Sequence, residues 1–187
     1  MEILLEPILY TAILPNTVKS TLGFGDLEVT LNYRLYTQTG ALPSFALAGE
    51  VKFPTARKNL IGTGEFDYTG YLIASKSFSQ CMLHANLGYA MVGQPTGQNL
   101  SDLISYFVAV EQSASKALQF LGEFYGNFAT GEAAGAESAS APESEGGNFV
   151  GMVGMRYFLM LTTAITLGVS YDNSNALQIA PGLFYSF

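Results

Sequence analysis

The chain carries few charges. Asp, Glu, Lys and Arg make up 12% of its 187 residues, about half of the roughly 25% usual in soluble globular domains. With 49% hydrophobic residues, a water-exposed surface built from so few charges is hard to keep soluble. Long apolar runs are missing too: nothing reaches the ~18 residues that mark a spanning helix. The nearest stretch, YFLMLTTAITLGVSY at 157–171, is uncharged but short and rich in hydroxyls. One cysteine, Cys81, excludes an internal disulfide. One histidine, His84, excludes a His-rich metal site and leaves any His-based triad to that residue alone. Basic residues number 8 against 15 acidic ones, giving a net charge of −7 with no Lys/Arg cluster. That argues against nucleic acid as a partner, since binding it depends on neutralising phosphates. The opening MEILLEPILY lacks a basic segment and a small-residue cleavage site, so an exported protein would contain this chain as a mature or truncated form.

What the chain does have is alternation, with 13% aromatics and 20 glycines. In GDLEVTLNYRLYTQTG (25–40), Leu27, Val29, Leu31, Tyr33 and Leu35 fall on one side of an extended chain, and Asp26, Glu28, Thr30, Asn32 and Arg34 fall on the other. In a soluble sandwich the apolar side is the core. In an outer-membrane barrel the apolar side meets lipid and the charged side faces the lumen. The alternation itself fits both.

Segments of strand length broken by turn residues recur about ten times. They are Ile3 to Ile13, Asp26 to Tyr36, Ser44 to Phe53, Phe66 to Lys76, Cys81 to Val92, Leu103 to Gln112, Leu118 to Asn127, Phe149 to Phe158, Thr162 to Tyr171 and Leu177 to Phe187. Five connections are long or rich in Gly, Pro and polar residues: PNTVKSTLGFG, PTARKNLIGTGE, GQPTGQNLSD, the stretch 129–148 and DNSNA. The others, including SFSQ, SASK and the step at 159–161, are mostly shorter, and the two kinds alternate. Long loops on one side and short turns on the other, with both termini on the short side, describe an up-and-down antiparallel transmembrane β-barrel. Between 101 and 126, apolar residues at 104, 107, 108, 114, 118 and 121 would also suit a helix capped by Ser101 or Asp102. The alternation of Ile104, Tyr106, Val108 and Val110, and of Leu118, Phe120 and Phe124, favours two strands. ATGEAAGAESASAPESEGGN (129–148) is low-complexity and lacks aromatics, so it reads as an external loop unable to offset its ordering entropy. The GTG at 62–64 has no Lys-Ser/Thr after it and reads as a loop.

In barrel phase, Asp26, Glu28, Arg34, Glu50, Lys52, Asp67, Glu111, Glu123 and Arg156 point into the lumen, with Tyr71, His84, Asn86 and Tyr125 beside them. Opposite charges inside a narrow barrel are expected to pair across it. The set reads either as a polar constriction selecting small solutes or as a plug of satisfied ion pairs. Cys81, near a strand end, reads as a small packing residue. No catalytic, metal or cofactor set is visible, and no serine stands in an evident partnership with His84.

The chain ends in LFYSF, with Leu183, Tyr185 and Phe187 on one face. This ending is similar to the terminal signal read by the outer-membrane assembly machinery. The stretches GDLEVTLNYRL, ALPSFALAGEVKFPT, GTGEFDYTGYLIASKSF, LHANLGYAMVG and LGEFYG, in that order, resemble the outer-membrane transporters associated with the meta-cleavage pathway of phenol degradation. The resemblance implies a bacterial outer-membrane barrel in the lipid bilayer, linked to uptake of small, often aromatic, hydrophobic solutes. It supplies no catalytic residues. Family members look longer at the front, with about two more strands, so the chain is expected either to close with about ten strands or to leave its first and last edges without a partner. The expected function is passive diffusion through a narrow charged lumen. The alternatives are a non-conducting surface-interaction barrel and a soluble, lipocalin-like barrel that binds a lipophile.

Overall fold

The computed structural model describes residues 1–7, 11–13, 21–56, 61–130, 148–173 and 175–185, and in these the regular structure is all β with no helix. In chain order the strands are β1 (Glu2–Pro7), β2 (Thr11–Ile13), β3 (Thr21–Gly23), β4 (Leu27–Tyr36), β5 (Ser44–Phe53), β6 (Asp67–Phe78), β7 (Cys81–Met91), β8 (Leu103–Ser113), β9 (Leu118–Ala129), β10 (Asn148–Met160), β11 (Thr163–Asp172) and β12 (Leu177–Tyr185). Ten of them form one antiparallel sheet in the order β1-β4-β5-β6-β7-β8-β9-β10-β11-β12, while β2 and β3 pair only with each other. Each strand therefore lies beside its chain neighbour, as in an up-and-down meander.

The expected alternation of connections is present. The turns at 37–43, 79–80, 114–117 and 161–162 gather at one end of the sheet, and the connections after β5, β7 and β9, each longer than any of these, gather at the other with the four-residue step after β11. β1 begins and β12 finishes at the short-turn end. The two-residue turn Ser79–Gln80 closes the Phe78↔Cys81 pair with Ser79 at φ 37, the left-handed backbone that two-residue hairpins favour because it matches the strand twist.

Two expectations change. The segment Ile3 to Ile13 does not serve a single ladder: Glu2–Pro7 pairs with β4. Thr11–Ile13 pairs instead with Thr21–Gly23, inside the stretch that reads as loop. At 101–126 the helix does not form. Eleven register pairs from Leu103↔Ala129 to Ser113↔Gln119 join β8 to β9, because cross-strand aromatic and β-branched neighbours outweigh local helical spacing. The expected loop 129–148 lies outside the described residues from 131 to 147, as does Phe187.

Residues directly opposite one another across a ladder share a face, so the register sorts every side chain. One face carries Leu31, Leu47, Leu72, Leu87, Val108, Val153 and Val169; the other carries Glu28, Glu50, Thr69, His84, Glu123 and Arg156. The apolar face is the open one: Leu31 is 47% exposed and Val153 68%. Asp26, Thr30, Ala48, Ala109 and Ala164, all on the polar face, are buried. Among the described residues no second layer covers either face, so the burial comes from the sheet curling toward its polar side. Carboxylate oxygens of Glu6, Glu28 and Glu50, from three successive strands, lie within 4.8 Å of one another there, although alternate strands of a flat sheet stand about 9.6 Å apart.

Candidate functional site on the polar face

All thirteen side chains expected in the lumen lie on the polar face, and the structure divides them into three groups. Near the long loops, Lys52 sits between two acids, forming ion pairs with Asp67 and, at 4.0 Å, with Asp26. Both acids are held from outside the sheet. Ala56 N donates to Asp26 Oδ1 at 2.8 Å, and Gly93 N donates to Asp67 Oδ1 at 2.8 Å. The carboxylates thus tie the loops after β5 and β7 down onto the strand ends. One step further in, Glu50 accepts from Thr30 Oγ1 at 3.1 Å and from Tyr71 OH at 3.4 Å.

Tyr71 reaches Glu50 because the facing position on β7 is Gly88. A Cβ there would stand 2.8 Å from the Tyr71 ring and against Ser105 Oγ. Gly88→Ala is therefore expected to displace the ring and cost about 1–3 kcal/mol by overpacking, read as a lower denaturant midpoint. Gly70→Ala, whose Cβ would meet nothing within 4 Å, should change stability by no more than about 0.5 kcal/mol.

The second group lies toward the short turns, where Arg34 and His84 line one cavity and Ser75 Oγ is 2.8 Å from His84 Nδ1. The third spans β7 to β12. Arg156 contacts Gln119 Oε1 at 3.3 Å and stands 5.8 Å from the centre of the Phe184 ring. Glu123 lies within electrostatic reach of Glu111 and Arg156. The Tyr125 ring lies 6.4 Å from that of Phe107, tilted by 34°, and Phe107 is the register partner of Asn86. Buried Asn86 Oδ1 and Arg156 Nε find no protein hydrogen-bond partner among the described residues, and such atoms ask for water or a polar solute.

The expectation of extensive ion pairing is met only around Lys52; among the described residues neither Arg34 nor Arg156 forms an ion pair. A barrel-wide plug of paired charges is not what the geometry displays. Sequence reasoning missed Glu6 on this face, and it placed Thr30 there without giving it a partner. Glu6 was legible from its phase, since it sits opposite Glu28, but treating Ile3 to Ile13 as a single strand hid it. Three clustered carboxylates can attract a hard cation, and the same cluster is common on proteins that bind none.

No protein-family model and no curated protein matches the chain. What the polar face can do therefore rests on its own chemistry. It combines a loop-anchoring acid–lysine network, a hydroxyl-capped glutamate and two guanidinium groups without an acidic partner among the described residues, along one continuous surface. Leu183 and Tyr185 of the expected assembly signal lie on the opposite, apolar face, 74% and 65% exposed.

Proposed function

We propose that this chain is a transmembrane β-barrel of the bacterial outer membrane, whose polar face lines a narrow path for small hydrophobic or aromatic solutes moving by passive diffusion. The observation that carries the reading is the order of residues along the apolar face. Phe45 and Phe53 bracket β5, Tyr68 and Phe78 bracket β6, Phe120 and Phe128 bracket β9, and Phe149 and Tyr157 bracket β10, with aliphatic residues and glycine making up most of the positions between. Eight to ten residues at about 3.4 Å each, on strands tilted by roughly 35–45°, correspond to a height of about 19–28 Å. That fits the apolar band of about 25 Å flanked by aromatic girdles in outer-membrane barrels. A soluble lipocalin-like barrel needs the apolar residues on its inner face, and here the inner-curling face is the polar one.

Ring closure is part of the proposal. Among the described residues β1 and β12 are sheet edges and are exposed on both faces, so a ring requires that they meet or that further strands bridge them. A ring of about ten to twelve strands stands nearer the side-chain-filled barrels of about 8 strands than the open pores of about 16, which sets the path as narrow. The Lys52 network, occupying the long-loop half, also suits a non-conducting barrel whose external loops do the work.

Detergent dependence tests the compartment, and monodisperse protein in plain buffer would retire the membrane reading. Conductance across planar bilayers, with liposome swelling by aromatic solutes, separates channel from inert barrel. The channel is expected to respond to Glu50→Gln with altered cation selectivity, and silence in both wild type and variant would end the transport reading.

A further inference from the structure

The polar face changes character at its short-turn end. A cavity of about 930 Å³ opens there, within the range of about 300–1,000 Å³ typical of small-ligand sites. Its apolar wall includes Ala46, Ile73 and Met82. Ile73 and Met82 interrupt the polar alternation of β6 and β7, being register partners of Ala46 and Ser77 on that face. Its polar wall presents Asn32, Arg34 and His84. Arg34 has no ion-pair partner among the described residues, and the ladder shifts register between Arg34 and Tyr36. Bulges of this kind re-aim side chains and concentrate beside functional sites. Ser75 Oγ at 2.8 Å engages His84 Nδ1, leaving Nε2 for another group.

We propose that this cavity binds a small organic monocarboxylate with a ring-sized apolar body, its carboxylate on the Arg34 guanidinium and its ring against Ile73 and Met82. A planar guanidinium matches carboxylate geometry with two parallel hydrogen bonds. The guanidinium is exposed, so a neutral solute leaves it to water and gains nothing from it. Glu2 also lines the cavity and is exposed; one acid opposes the anion there and weakens its binding. The inference rests on the polar face being a solute path, and it narrows the solutes to anionic ones at this end.

Equilibrium dialysis of detergent-solubilised protein at neutral pH, with benzoate and its uncharged counterpart benzyl alcohol, tests it. Benzoate should bind at least about tenfold more tightly, the scale of one charge-assisted pair. Arg34→Gln should abolish that preference while keeping the weak binding of benzyl alcohol, which also reports an intact fold. Arg34→Lys should keep part of the preference, and Glu2→Gln should increase benzoate affinity. Equal affinity for the two probes, or a preference that survives Arg34→Gln, would overturn the site. Because dialysis needs no current, benzoate binding in a barrel that does not conduct supports the site while retiring the channel. Conductance without benzoate preference overturns the site and leaves the channel.

Discussion

Replacing Val153 with arginine should lower the folding stability of the lipid-embedded protein by about 2–4 kcal/mol, the cost of a cation at the bilayer midplane of a β-barrel. Val153 is 68% exposed and stands midway between Phe149 and Tyr157 on the apolar face of β10. On a soluble protein so exposed a position would accept arginine within about 0.5 kcal/mol. The sign and size of this one change therefore tell lipid from water. Leu159→Arg, on the same face of the same strand but at the short-turn end, should cost only about 0–1 kcal/mol, since the penalty fades toward the interface. Denaturant titration of protein folded into lipid vesicles measures both. Equal effects at the two depths would remove the membrane assignment.

The second large effect is expected at Lys52. Lys52→Met leaves Asp26 and Asp67 facing one another without their shared cation, at sites where the side chains are only 7% and 20% exposed. Breaking a buried pair by removing one partner costs about 3–5 kcal/mol. The low end, about 3 kcal/mol, is expected here because Lys52 and Asp67 keep some contact with solvent. The same network holds the loops after β5 and β7 through Ala56 and Gly93, so increased protease nicking at the long-loop end should accompany the loss. Lys52→Met combined with Asp67→Asn removes one of the stranded charges and should recover at least about 1 kcal/mol. No recovery would mean that lysine packing, rather than charge balance, is what matters.

The ten strands of the main sheet, their order and most of their boundaries are legible in the sequence because a half-buried strand repeats every two residues and turns interrupt it. Ser44–Phe53 appears in the structure with the bounds its alternation predicts. The first segment fails for a local reason. Its apolar residues run past Pro7, and periodicity does not register that Thr11–Ile13 has a partner of its own in Thr21–Gly23. The candidate site is legible as a phase: every one of the thirteen residues lies on the expected face. Their grouping is not. Lys52 meets Asp67 and Asp26 rather than Glu50, and Arg34 remains without an acid, because contacts across several strands depend on stagger and curl.

From sequence alone came the alternation, the meander with its long and short connections, and the membership of each face, since all three follow from a backbone that turns side chains over at every residue. The tertiary structure decided which face is crowded and which open, where charges pair, and that among the described residues the outer edges of β1 and β12 have no strand beside them. Those outcomes depend on the curvature of the whole sheet, which brings together side chains far apart along the chain and which a two-residue repeat does not encode.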